Sequence, residues 1–388
     1  KSNASYFINY VISQISEKYG DDAIYKDGLK IYTTLDMDAQ NAAVAAMQNL
    51  PNYYTDKNGL SQPQGAIVAM NPHNGYIVAM VGGRGDDAFN RATQAERQPG
   101  SSMKPFVYLA AIQSGKTPGS IVEDSPVSFG SWSPKNYEND YVGSITYRYA
   151  LQHSRNVAAV KIADEVGMTK VIKLAKEMGI STLTDQDYNL STALGGLTHG
   201  VTPLEMVQAY GVLANGGIKV QPTAILKIVD RNGQVVEENS IQEKRVVDEK
   251  DAAIITNMLE SVINGGTGGN AAIGRPAAGK TGTTDDSKDA WFVGYTPDLV
   301  AAVWIGDDYG SETLRGMTGG DTPAIMWGQF MANALANTPA SDFPVPSSAQ
   351  SAIAEGYFNP VKVQPKKDDK KDDKADKKDD RSEERRVG

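Results

Sequence analysis

With 388 residues, 40% of them apolar and 22% charged, the chain has the make-up of a globular protein of two or three domains, or of one large domain with appendages. A net charge of −9 argues against nucleic acid as a partner, because affinity for a polyanion rests on Lys and Arg neutralising phosphates. The absence of cysteine excludes disulfides and thiol chemistry, and the three histidines, His73, His153 and His199, stand in no metal-binding pattern, so neither a metal nor another cofactor is expected. No run reaches the roughly 18 consecutive apolar residues of a membrane span.

In chain order, residues 1–30 read as a linker. GAIVAMNPHNGYIVAMVGG alternates apolar residues around Asn74-Gly75, which predicts a hairpin with strands near 65–70 and 76–81. Helical patterns follow in SMKPFVYLAAIQSG, ITYRYALQ, VAAVKIADEVG, TKVIKLAKEMG and TPLEMVQAYGVLANGG, several closed by glycine where a C-cap wants it. A second hairpin centres on Asn232-Gly233, and another helix spans about 249–263. AAGKTGTT, AWFVGYT and LVAAVWIGD read as three neighbouring strands before a last helix at about 322–336. Strands at both ends around a helical block predict an α+β domain over 31–345, an antiparallel sheet of about five strands covered by helices. Residues 346–388 read as a disordered tail, because the run from Lys366 interleaves ten basic with nine acidic residues and has nothing to bury.

Three short motifs carry the chemistry: Ser101-Ser102-Met103-Lys104, Ser154-Arg155-Asn156 and Lys280-Thr281-Gly282. Pro99-Gly100 breaks the chain ahead of an apolar periodic run, so Ser101 is placed at a helix N-terminus, where unpaired amides favour negative charge. Lys104, one turn on, shares its face. A free lysine is protonated at neutral pH, but burial and a second cation, for which Lys280 is the candidate, would free its lone pair. Ser154 and Asn156 fall in a break between helical patterns, where a hydroxyl can relay a proton and an amide can hold a peptide bond. A strand over AAGKTGTT puts Lys280 and Gly282 on one face, a cation beside a gap through which a substrate backbone could approach, with its terminal carboxylate near Lys280.

Each motif alone is ordinary: a helix surface, a turn, a strand end. The ordered set, each member in a suitable context, is what points to acyl transfer. A rival sits at Gly274 to Thr281, which matches the phosphate loop G-x-x-x-x-G-K-[ST]. That loop works between a strand and a helix, and TGTTDDSKDAWFVGY offers no helix downstream.

The motif set is that of β-lactamases and penicillin-binding proteins. GLKIYTTLDMDAQNAAVAAM, QPGSSMKPFVYLAA, LQHSRNVAAVKIA, ALGGLTHGVTPLEMVQAYGVLANGG and AGKTGTTDDSKDAWFVGYTPDLVAAVWIG resemble the signature blocks of class A penicillin-binding proteins over about residues 6–340. The resemblance implies a D,D-transpeptidase that cross-links peptidoglycan stem peptides ending in D-Ala-D-Ala and is inhibited by β-lactam antibiotics. Ser101 would be the nucleophile and Lys104 the base. Ser154 would shuttle protons, Asn156 would orient the acyl chain, and Lys280 with Thr281 would bind carboxylate. The amides of Ser101 and Thr283 would form the oxyanion hole, with Gly282 between the two substrate-binding threonines. The resemblance also implies that the full-length protein carries a membrane anchor and a glycosyltransferase domain, which this sequence does not include, and works on the extracytoplasmic face of the bacterial membrane. Arg155 stands where many β-lactamases have Asp, and residues 157–279 contain no Glu-x-x-Leu-Asn; this counts against a class A β-lactamase. A D,D-carboxypeptidase or β-lactamase-like hydrolase, and a β-lactam sensor that binds without turnover, remain as alternatives.

Overall fold

The predicted strands meet in one sheet. The structure, a computed structural model, describes residues 3–358 apart from Asp86, and the charged run from Lys366 lies outside them. β1 (Gln64–Met70) and β2 (Ile77–Val81) form the hairpin across Asn74-Gly75. Gly75 is required there, since its φ is +80° and a Cβ would lie 2.2 Å from the Gln221 carbonyl oxygen. β3 (Ala278–Thr283), β4 (Asp289–Tyr295) and β5 (Val300–Gly306) form a meander. The five strands lie in the order β3-β4-β5-β1-β2, every pair antiparallel, with Val300 opposite Met70 and Gly306 opposite Gln64 where the two parts of the chain join.

Alternate side chains of these strands feed two separate cores. Val68, Met70, Trp291, Val293 and Ala302 face one, while Ile67, Ala69, Phe292, Val303 and Ile305 face the other. Both faces are covered, which is why β1, β2, β4 and β5 read as almost continuous apolar runs.

The helices used below are α1 (Ser5–Tyr19), α2 (Met37–Ala46), α3 (Lys104–Gln113), α4 (Tyr147–Gln152), α5 (Asn156–Val166), α6 (Met168–Met178), α7 (Pro203–Ala214), α8 (Glu249–Gly265) and α9 (Thr322–Ala334). α2 and α9 cover the second face. Ala39, Ala42, Ala43 and Ala46 let α2 approach closely, and Trp327 and Phe330 of α9 fill the remaining depth. The first face carries the block from α3 to α8. A smaller sheet of Lys30–Thr33, Ile225–Val229 and Val235–Glu238 holds the second predicted hairpin, turning at Asn232-Gly233.

The two ends of the described chain are more ordered than their composition implies. Residues 1–30, expected as a linker, contain α1, whose Phe7, Val11 and Ile15 enter the core at helical spacing. Residues 346–358, expected in the tail, form a 3-10 turn and α10 (Gln350–Ile353), with Ala349 and Ala352 buried. The buried Arg148 guanidinium of α4 donates to the carbonyls of Ile353 at 3.0 Å and Glu355 at 2.9 Å, which ties this segment down. The dense run of charge begins only at Lys366, outside the described residues.

Candidate active site

Ser101 sits in a 3-10 turn, Gly100–Met103, that runs straight into α3. In such a turn residues three apart are eclipsed, so Ser101 and the first residue of α3, Lys104, stand one above the other. The first hydrogen bond of the turn is Ser102 N to Pro99 O, 3.3 Å, so the amides of Gly100 and Ser101 precede it and are unspent within the helix. Ser102 is fully buried and its hydroxyl donates to Pro99 O at 2.6 Å. Ser101 is only partly buried, and among the described residues its hydroxyl has no hydrogen-bond partner.

Glycines press this turn against β3. A Cβ on Gly282 would lie 2.6 Å from Pro99 O, one on Gly100 2.5 Å from Thr283 O, and one on Gly195 2.0 Å from Gly100 O. This corrects one expectation. The bare position at Gly282 is filled by the protein's own Pro99 carbonyl, not left open for a substrate backbone.

Lys104 and Lys280 are both fully buried. The Lys104 amine donates to Asn156 Oδ1 at 2.6 Å, to the Ser154 carbonyl at 2.8 Å and to Ser154 Oγ at 2.9 Å. The Lys280 amine donates to Ser154 Oγ at 2.9 Å, to Thr281 O at 2.9 Å and, at 3.4 Å, to Thr281 Oγ1. Ser154 Oγ therefore lies between two amines. A hydroxyl has one proton, so it can donate to one amine while accepting from the other; the arrangement is best satisfied by one neutral and one protonated lysine. A neutral Lys104 keeps two hydrogens for its two obligate acceptors, the Ser154 carbonyl and Asn156 Oδ1, and turns its lone pair to a hydroxyl.

Electrostatics favour that state. Burial, then the neighbouring Lys280 ammonium, push Lys104 well below the usual lysine range; Arg155 adds to this and Asp285 opposes it. Burial also pushes Lys280 down, to about 7.

Ser154 holds this position in a left-handed conformation, φ +52°, which is uncommon for a non-glycine residue and has to be held by its surroundings. Arg155, the middle residue of the motif, turns away from the lysines. Its guanidinium pairs with Asp124, 2.8 Å, and with Asp140, 2.9 Å. Asp124 is itself buried and accepts from Asn136 and the Val142 amide. Asn156 opens α5, and its Nδ2 donates to the Lys135 carbonyl at 3.1 Å, leaving one amide hydrogen.

β3 is the terminal strand of the sheet, as an added extended peptide would require. Amides along a strand point alternately to the two sides. Thr284 N bonds to Asp289 O across the sheet, so the Thr283 amide points to the outer edge, the side on which Gly100 lies. The Thr283 hydroxyl accepts from Gly319 N at 3.0 Å, and the Thr281 hydroxyl pairs with that of Thr267 at 2.8 Å. With Gly279, Lys280 and Thr281 inside a strand, the phosphate-loop reading lacks its helix.

The structure thus brings Ser101, Lys104, Ser154, Asn156, Lys280, Thr281, Gly282 and Thr283 to one junction. Sequence reasoning missed Thr267, whose only signal was its place inside Gly265-Gly266-Thr267-Gly268-Gly269, and Gln98, whose side chain exchanges two hydrogen bonds with Leu197 and holds the Gly195 loop against the nucleophile turn.

Residues 65–316 match the family described as penicillin binding protein transpeptidase domain. Penicillin-binding protein 1A of Aquifex aeolicus is 40% identical over 292 residues, covering 73% of this chain and 40% of the relative. That of Clostridium botulinum is 38% identical over 361 residues, covering 86% and 43%. The chain spans about two fifths of the length of these relatives. Among solved structures, PonA1 of Mycobacterium tuberculosis superposes with a TM-score of 0.81 at 29% identity, over 94% of this chain and 99% of the other. Penicillin-binding protein 1A of Haemophilus influenzae gives 0.81 at 25% identity, over 88% and 72%. The chain belongs to the family of penicillin-binding protein transpeptidase domains, in its class A branch.

Proposed function

We propose that this domain is a serine D,D-transpeptidase that cross-links peptidoglycan stem peptides through an acyl-enzyme on Ser101. The observation that carries the reading is the Ser154 hydroxyl held between two buried lysine amines, one of them a single turn from Ser101. Neutral Lys104 takes the Ser101 proton as Oγ attacks the penultimate D-Ala carbonyl. The Ser101 and Thr283 amides receive the developing oxyanion. The C–N bond breaks, and the proton passes through Ser154 to the departing D-Ala amine. An amine of a second stem peptide then attacks the ester and gives up a proton to the same relay, and Ser101 Oγ leaves as the hydroxyl. Asn156, with its one remaining amide hydrogen, orients the acyl chain. Lys280 and Thr281 supply the field and hydroxyl that favour a terminal carboxylate.

β-Lactams follow the same first step, in keeping with the solved complex of the relative PonA1 with penicillin V. The full-length protein acts at the extracytoplasmic face of the membrane, joined to an anchor and a glycosyltransferase domain. A synthetic stem-peptide pair tests the reading. Cross-linked dimer, abolished by penicillin, is expected. Free D-Ala without dimer would make the domain a carboxypeptidase, and covalent labelling with neither product would make it a sensor.

A further inference from the structure

We infer that Thr267 is a specificity residue, the terminal donor of a Lys280–Thr281–Thr267 chain that reads the substrate's terminal carboxylate. This rests on the transpeptidase reading and names a residue outside its three motifs.

The three hydrogens of a protonated Lys280 are all committed, to Ser154 Oγ, Thr281 O and Thr281 Oγ1. The amine is also fully buried. A carboxylate arriving at the edge of β3 can take a hydrogen bond from Lys280 only by breaking one of these. Hydroxyls extend the reach of the cation instead. Thr281 is 5% exposed, and its Oγ1 lies between the Lys280 amine at 3.4 Å and Thr267 Oγ1 at 2.8 Å. In the proposed chain Thr281, accepting from the ammonium, gives its single proton to Thr267. Thr267 is exposed, so its own proton is the one left to face a ligand. Each link polarises the next toward an anion.

The backbone of this segment is built to hold that hydroxyl in place. Thr267 is the single side chain in a run of glycines, and the two that flank it, Gly266 and Gly268, are closely packed. A Cβ on Gly266 would lie 2.3 Å from Gln152 O, one on Gly268 3.0 Å from the Phe292 ring, and one on Gly320 2.5 Å from Thr267 O. The Thr267 amide donates to Gln152 O at 3.2 Å, two residues before Ser154. One residue thus touches both the helix leading to the second motif and the strand of the third. Its hydroxyl is fixed relative to the Ser154 relay as well as to β3.

The test compares acylation by benzylpenicillin and by its methyl ester, whose esterified carboxyl carries no charge. Thr267→Val keeps the branched shape and removes the donor. It is expected to slow acylation by the free acid roughly ten-fold, the scale of one hydrogen bond to a charged group, and to slow the ester at least five-fold less. Thr267→Ser, which keeps the hydroxyl, is expected to restore most of the loss. Equal slowing with acid and ester, or no slowing with either, overturns the assignment. The reading it rests on fails differently, because the unmutated protein would then give no cross-linked dimer from the stem-peptide pair, whatever the ratio of acid to ester acylation.

Discussion

On the face covered by α2 and α9 the sheet and its helices bury alanines, Phe292 and Trp327; Trp327 Nε1 donates to Ala301 O, and the buried Gln40 amide exchanges hydrogen bonds with the Met80 backbone. The opposite face, under α3 and α8, buries two lysine amines and holds beside them two partly buried serines, Ser154 in a left-handed conformation and Ser101 with an unspent hydroxyl. The first face is mainly a packing solution, and its polar groups are uncharged and paired with backbone. The second gives up packing to hold charge in a low dielectric, a costly arrangement that persists when each polar atom has a partner. Substitutions on the two faces should therefore fail in different currencies, stability on one and acylation on the other.

The largest effects belong to the reacting groups. Ser101→Ala is expected to abolish covalent labelling by fluorescent penicillin, while Ser102→Ala, whose hydroxyl is buried against Pro99 O, keeps it. Lys104→Ala is expected to abolish labelling with Ser101 intact, since no other base stands one turn away. Equal loss in both serine variants would break the assignment. Next comes Gly282→Ala, which forces a Cβ toward Pro99 O and pushes the nucleophile turn off β3. A displacement of about 1 Å costs on the order of a hundred-fold, and stopped-flow acylation would measure it. Trp327→Ala tests the other face. It is expected to cost about 3–5 kcal/mol in denaturant unfolding, while the folded protein acylates at the unmutated rate. A large fall in rate would couple the two faces.

The smallest effect is a shift in pH dependence. Acylation needs neutral Lys104, so its rate rises with pH through the pKa of that amine. The Lys280 charge is one cause of the low Lys104 value. Lys280→Met removes it, and the acid limb of the acylation profile is expected to move to higher pH. No shift would mean that burial alone tunes Lys104, and a shift to lower pH would contradict the sign assigned to the Lys280 charge.

Much of this was legible in the sequence because it lies in local patterns. Alternation and Asn-Gly turns give β1 and β2, apolar runs give β4 and β5, and spacing places Lys104 over Ser101. What was hidden depends on contacts between distant segments. Nothing near Gly282 tells that Pro99 O fills its empty side, and nothing near Thr267 tells that Thr281 will meet it. The extra order at the ends was missed for a related reason. α1 and residues 346–358 are held by contacts supplied from elsewhere, α1 by the core it enters and the C-terminal segment by Arg148. The glutamates of α5, α6 and α7 are committed to other partners: Glu165 to Lys116, Glu177 to Lys173 and Glu205 to Ser181 and the cap of α7.

That last point makes the central claim directly measurable. Hydrolysis of a penicilloyl ester requires a water held by a positioned base, and none of these carboxylates supplies one. Intact-protein mass spectrometry after a penicillin pulse and drug removal, with peptide mapping of the adduct, is expected to show a single penicilloyl group on Ser101 that persists for hours. An adduct on another residue, or return to the free mass within seconds, would contradict the account.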